Sequence, residues 1–198
     1  IIGRYAAHSL KGRIGKSDLP VVVHGVHGLS FHKYQSNILN RFYIAVERAT
    51  AKKTDFFVSV ADAMTKQSLD AGIGMPGQYV TAYSAIDEEA FLQEIAQSDK
   101  EAFRQQYSIP ADAVVLVTIA RLFHLKGHEF IIESAGKLAA KFPQALWLFV
   151  GDGILRDGLK ELIVQYGLAE RFRFTGLLPP SQIPLAIQAS DILVHCSL

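Results

Sequence analysis

Short β-branched or aliphatic runs alternate along this chain with longer segments whose apolar residues recur at three- and four-residue intervals. The first run, Val21 to His24, is bounded by Pro20 and Gly25 and predicts a buried strand opening into a glycine-rich loop through Gly28. Apolar side chains at Ile38, Leu39, Phe42, Val46 and Ala49 then keep a helical spacing, with Arg41, Lys52 and Lys53 off the stripe, so a helix is expected to end near Thr54. A strand at Phe56 to Val60, a helix at Asp62 to Ala71 closed by Gly72, and a strand at Tyr79 to Ala82 follow. From Ser84 to Pro110 the pattern weakens into an acidic, glutamine-rich stretch, and the domain junction is placed there.

The alternation restarts with strand Ala113 to Ala120, a helix from Gly127 to Phe142, and strand Ala145 to Val150, Pro143 separating the last two. A Gly-Asp-Gly loop, a helix from Ile154 to Tyr166, strand Arg171 to Thr175, a short helix after Ser181 and strand Asp191 to His195 complete the order. Strands separated by helices of this length imply parallel sheets covered on both faces, an α/β fold. In such sheets ligands bind beyond the carboxyl ends of the strands, where helix amino termini also point. The loops that carry chemistry are therefore His24 to Phe31, Arg121 to Gly127 and Gly151 to Gly153.

Composition narrows the class. An apolar share of 49% over 198 residues is ample for real cores, and 20 basic against 19 acidic side chains leave a net charge of +1, with no overall field to attract nucleic acid. A single cysteine, Cys196, forms no internal disulfide and reads as a small buried apolar residue; with no N-x-S/T site, this fits a cytoplasmic protein. No apolar run approaches the roughly 20 residues needed to cross a bilayer, and the first residues do not resemble a secretory signal. An initial Ile and a final DILVHCSL, which reads as a strand cut as its loop begins, point to a fragment.

The run TIARLFHLKGHEF puts Arg121 after a strand and Lys126 before a helix, with Gly127 letting the backbone approach a ligand. Such a pair suits a diphosphate: guanidinium binds oxygen pairs in a plane, ammonium acts as a point charge, and the helix dipole adds to both. Two solvated surface charges are the alternative. His24, His27 and His32 invite a metal reading, but no Cys, Asp or Glu accompanies them and strand-to-loop geometry points His24 and His27 differently, so no metal site is expected. Gly72, Gly74 and Gly77 spell G-x-G-x-x-G, yet follow a helix and lead into a strand, the reverse of a dinucleotide fingerprint. Glu47 reads as a surface or helix-pairing carboxylate. Arg4, His8, Lys11, Arg13 and Lys16 read as a solvated face, with an anionic lipid or phosphorylated acceptor as the functional alternative.

TIARLFHLKGHEF, LWLFVGDGILRDGLKELI and RFRFTGLLPPSQIPLAIQASDILVHCSL together resemble the nucleotide-binding half of the retaining family 4 glycosyltransferases of GT-B architecture. Upstream, VVVHGVHG, YIAVERATAKKTDFFVSVADAM and YSAIDEEAF resemble that family's first domain and its exit. The resemblance implies two Rossmann-like domains, both incomplete: residues 1–84 the carboxyl-side part of the acceptor-side domain, 85–110 a linker, and 111–198 the donor domain. It implies a nucleoside-diphosphate sugar as donor, a glycan or lipid-linked acceptor, no cofactor or metal, and a cytoplasmic location with peripheral membrane contact. Arg121 and Lys126 are then the diphosphate contacts. His27, before Gly28, resembles the histidine that faces the donor sugar across the cleft. Gly127, Gly151, Asp152 and Gly153 border the nucleotide, and Thr175 and Gly176 lie along the base. A purely structural turn at Gly151–Gly153 would look the same. The family's glutamate pair would follow Leu198 and its amino-terminal glycine-rich loop would precede Ile1, so the chain alone is expected to be weak or inactive. A truncated module that binds the nucleotide-sugar without chemistry, and a nucleotide-sugar epimerase on the same architecture, are the alternatives. Ala85 stands where the family commonly has Gly.

Overall fold

In the computed structural model, which describes residues 2–10 and 20–197, the chain forms two compact units divided between Ile86 and Asp87. Each is built round its own parallel sheet.

The first unit runs α1 (Ile2–Leu10), β1 (Val23–Val26), α2 (Asn37–Ala51), β2 (Phe56–Ser59), α3 (Asp62–Asp70) and β3 (Tyr79–Thr81), with strand order β1-β2-β3. Ser36 caps α2, its side chain accepting from the Leu39 amide. The core gathers Val26, Ala51, Phe57 and Ile73, and Phe57 stacks on Tyr79 with centroids 4.6 Å apart.

Two expectations are corrected here. The first strand lies two residues later than predicted: Val22 is bound to Asp55, its N–H donating to the Asp55 carboxylate, and ladder pairing starts at Val23↔Phe56. Gly25 lies inside the strand, paired with Val58, and the His27 ring folds back over it, 3.2 Å from where a Cβ would stand. Arg4, read as part of a solvated face, is 5% exposed on a helix the sequence pattern did not show, and its Nη2 pairs with Glu47 at 2.8 Å. A guanidinium this enclosed needs its carboxylate, which gives Glu47 the helix-pairing role expected of it. Lys11, Arg13 and Lys16 lie outside the described residues.

The second unit runs α4 (Glu89–Leu92), α5 (Gln97–Gln106), β4 (Val114–Ile119), α6 (His128–Leu138), β5 (Ala145–Val150), α7 (Arg156–Gln165), β6 (Phe172–Gly176), α8 (Ile183–Gln188) and β7 (Ile192–Leu193). All its strand pairs are parallel, in the order β6-β5-β4-β7. Every residue of β5 is buried, as the unbroken apolar run ALWLFV requires of a strand covered on both faces. Ala145, Trp147 and Phe149 face Ile132, Leu159 and Ile163 of α6 and α7; Leu146, Leu148 and Val150 face Phe103, Ile109 and Ala186.

From Asp87 onward, the stretch expected as a linker belongs to the second unit. Its composition hid this because α5 buries only Phe103 among its ten residues. Asp191 ties the same region together: its Oδ2 accepts from the Val115 amide at 2.7 Å and from Arg104 Nη2 at 3.1 Å. Asp191→Ala strands the amide of a fully buried residue, so a loss of about 1–3 kcal/mol is expected in chemical denaturation.

Candidate functional site

The carboxyl ends of β4, β5 and β6 are laced together by backbone. Ala120 N donates to Val150 O, Leu122 N to Asp152 O, Leu155 N to Leu122 O, and Gly151 N to Gly176 O, all between 3.0 and 3.1 Å. The glycines make this approach possible. A Cβ on Gly151 would lie 2.1 Å from the Ala120 carbonyl oxygen, and one on Gly153 would lie 2.3 Å from that of Leu122. Gly151 also holds φ 136°, and Gly176 holds φ 70°.

Arg121 and Lys126 stand on this platform. Arg121 is exposed, its guanidinium 5.3 Å from the centroid of the Phe123 ring, which supports the cation from beside. Leu125 and Gly127 both take left-handed φ, 69° and 73°, so Lys126 is bracketed by two reversals that bring the chain into α6. A left-handed leucine is strained, and strain of this kind collects at ligand-binding loops. Among the described residues neither Arg121 nor Lys126 forms an ion pair. The first amides of α6 have no intrahelical acceptor, and the helix dipole points its positive end at the same place. Two cations and a helix amino terminus on one loop can hold a doubly charged, oxygen-rich anion.

Of the remaining expected residues, Asp152 is engaged within its own loop, accepting from the Gly153 amide at 2.8 Å and pairing with Arg156 at 3.1 Å. Arg156, which sequence reasoning passed over, opens α7 and braces that turn. Thr175 Oγ1 donates to the Gly176 carbonyl, 2.8 Å away. Gly127 packs under the Cys196 carbonyl, which a Cβ would meet at 2.2 Å, so the segment after β7 lies over the start of α6. Cys196 itself is partly buried against the core beneath.

In the first unit, His27 and Gly28 follow β1, both exposed, and the space around the Gly28 Cα is open. A cavity of about 330 Å³ lies there, lined by His24, His27, Glu47, Ser68 and Tyr79 among others. Burial lowers the basicity of His24, and nearby Arg4 lowers it further; its ring meets Phe57 edge-on. Burial likewise raises the Tyr79 phenol, whose O–H donates to the Ile73 carbonyl. His32 lies against Tyr34, so the three histidines of this segment have separate packing partners. Among the described residues no helix is long and apolar enough to cross a membrane.

This architecture, parallel sheets flanked by helices in two units, is the GT-B type of α/β fold. Anabaena Alr3699/HepE in complex with UDP-glucose superposes with a TM-score of 0.79 at 21% identity, over 99% of this chain and 50% of that one. WaaG, a glycosyltransferase involved in lipopolysaccharide biosynthesis, superposes with a TM-score of 0.72 at 19% identity, over 97% of this chain and 56% of that one. The family described as glycosyl transferases group 1 matches residues 99–198, and the chain belongs to it. It is 30% identical to the 2-deoxystreptamine glucosyltransferase of Streptomyces kanamyceticus over 106 residues, 53% of this chain and 27% of that protein. It is 25% identical to the UDP-Gal:alpha-D-GlcNAc-diphosphoundecaprenol alpha-1,3-galactosyltransferase of Escherichia coli over 201 residues, 100% of this chain and 49% of that protein. The chain thus spans about half or less of these relatives' own lengths.

Proposed function

We propose that the second unit binds the diphosphate of a nucleoside-diphosphate sugar through Arg121 and Lys126, in a protein that transfers the sugar with retention to an acceptor hydroxyl. The observation that carries this is the placement of those two cations, unpaired among the described residues, in the one loop that runs from β4 into the amino terminus of α6. As the bond to the diphosphate breaks, negative charge grows on the departing oxygens, and fixed cations act most strongly on that state. They take the part a metal ion plays elsewhere, and the leaving diphosphate accepts the acceptor's proton. His27 orients the donor sugar by hydrogen bonding, with Gly28 beside it. Gly151 and Gly153 present backbone to the nucleotide, Gly127 admits the Cys196 backbone beside Lys126, Asp152 holds the Gly151–Gly153 turn in shape, and Thr175 and Gly176 flank the base.

The acceptor is a glycan or a lipid-linked saccharide, consistent with the diphosphoundecaprenol-linked substrate in the Escherichia coli relative's name. Such an acceptor places the protein in the cytoplasm, in peripheral contact with a membrane. A second reading, donor binding without transfer, is favoured by the placement of both cations in one unit.

A thermal-shift series with UDP, GDP and ADP tests the binding they share. A ligand held only by the folded state stabilises by about 2.7 kcal/mol at a hundredfold excess over its dissociation constant, so at least one of the three raises the melting temperature. No shift with any of them contradicts both readings.

A further inference from the structure

Two residues beyond Lys126, the imidazole of His128 is fully enclosed, 0% exposed, and neither ring nitrogen has a hydrogen-bond partner. Its ring meets Phe149 of β5 edge-on, 4.9 Å between centroids. Polar nitrogens left unpaired in such a place are costly, and a residue that keeps them there invites a reason.

Two other buried oxygens nearby in the fold are also unpartnered. Thr118 Oγ1 belongs to β4, in register with Phe149, and Glu129 Oε2 belongs to the next residue of α6. An imidazolium donates from both nitrogens, and a hydroxyl and a carboxylate oxygen both accept. Neither oxygen bonds the neutral ring as it stands, and burial opposes its charge.

The groups facing His128 explain its present state. Burial lowers its basicity most; Glu129 on its own helix raises it, whereas His195 after β7 and Lys126 before α6 lower it. Cys196, also after β7, contributes its backbone over Gly127, and the flanking strands contribute the uncharged Thr118 and Phe149. The ring is neutral in the free protein near neutral pH. Because the folded state binds this proton less readily, the stability owed to neutral His128 is complete above the ordinary value of 6.5 and is lost as pH falls toward the lowered folded value. A diphosphate resting on Lys126 and the α6 amino terminus would offset the Lys126 charge, the smallest of these causes, and bring negative charge of its own that favours the protonated ring.

Resting on the donor reading above, we propose that His128 is a proton-accepting group beneath the diphosphate site, taking up a proton from solvent as the diphosphate binds and placing a third positive charge under the leaving group. The proton adds to a ring nitrogen, no bond to the sugar is involved, and it returns to solvent when the diphosphate departs. His128 touches neither sugar nor phosphate; it positions charge through the first turn of α6.

Calorimetric titration of the full-length protein with UDP-glucose, UDP-N-acetylglucosamine and GDP-mannose, in buffers of differing ionisation enthalpy, tests this. The diphosphate of these donors does not titrate near neutrality, so uptake reports on the protein. Wild type is expected to take up a measurable fraction of a proton per donor bound around the ordinary value of 6.5, declining as the pH rises above it, and its affinity to strengthen on acidification. His128→Gln and His128→Leu are expected to take up none and to bind with an affinity that does not vary with pH. Leucine also removes the unpartnered nitrogens, so it serves if the glutamine variant does not fold. Wild-type binding without uptake, or equal uptake in the variants, overturns the proposal and leaves the donor reading intact. Failure of all three donors to bind overturns the donor reading, and this proposal with it.

Discussion

Replacing both Arg121 and Lys126 by alanine in the full-length protein is expected to lower turnover by several powers of ten while leaving the melting temperature within a few degrees of wild type. Each side chain stands on the rim without an ion pair among the described residues, so the fold loses little when it goes. Removing one preorganised charge at a developing anion costs about a hundred- to a thousandfold in rate, and the pair acts on the same departing oxygens. Losses that act on one group are not additive, so the double variant falls further than either single one but short of their product. The check is donor turnover beside thermal stability. Near-normal turnover in the double variant contradicts the assignment of both residues. A large loss of stability instead reassigns them to the fold.

Gly151→Ala is expected to do the opposite, removing stability first and binding with it. The residue holds φ 136°, a conformation open essentially to glycine alone, and the new Cβ would lie 2.1 Å from the Ala120 carbonyl oxygen. Backbone must shift on both β4 and β5, and their loops lose the Gly151–Gly176 and Leu122–Asp152 hydrogen bonds together. Strain and overpacking combined amount to about 2–5 kcal/mol. Gly158→Ala in α7 is the matched control: a Cβ there meets nothing within 4 Å, and alanine in a helix is favoured over glycine by about 0.5–1 kcal/mol. Urea denaturation of the two variants should move in opposite directions. A stable Gly151→Ala protein with unchanged donor affinity contradicts the packing described for the three loops.

Much of this was legible in the residues themselves. The bounds of β5 coincide with the run Ala145 to Val150, because a strand buried on both faces needs no alternation and its ends are marked by polarity alone. Arg121 and Lys126 were placed by the strand before one and the helix after the other. What escaped was decided by partners distant in sequence. Arg4 looks like a surface cation until Glu47, 43 residues away, is brought against it. Residues 87–110 look like a linker because α5 buries a single phenylalanine, its other ties being polar bonds such as Arg104 to Asp191, 87 residues away. Asp152 reads equally as a nucleotide contact or a turn residue; its bonds to Arg156 and the Gly153 amide, which the sequence does not show, tie it to the turn. His128 shows only as a histidine after Lys-Gly; that its ring turns inward, unpartnered, against Phe149 depends on β4 and β5 beneath it.

The most direct measurement is a crystal structure of the protein with a bound nucleoside diphosphate. The diphosphate oxygens are expected within hydrogen-bonding distance of the Arg121 guanidinium and Lys126 Nζ, over the first amides of α6. A diphosphate seated anywhere else, with Arg121 and Lys126 facing only solvent, would contradict the account.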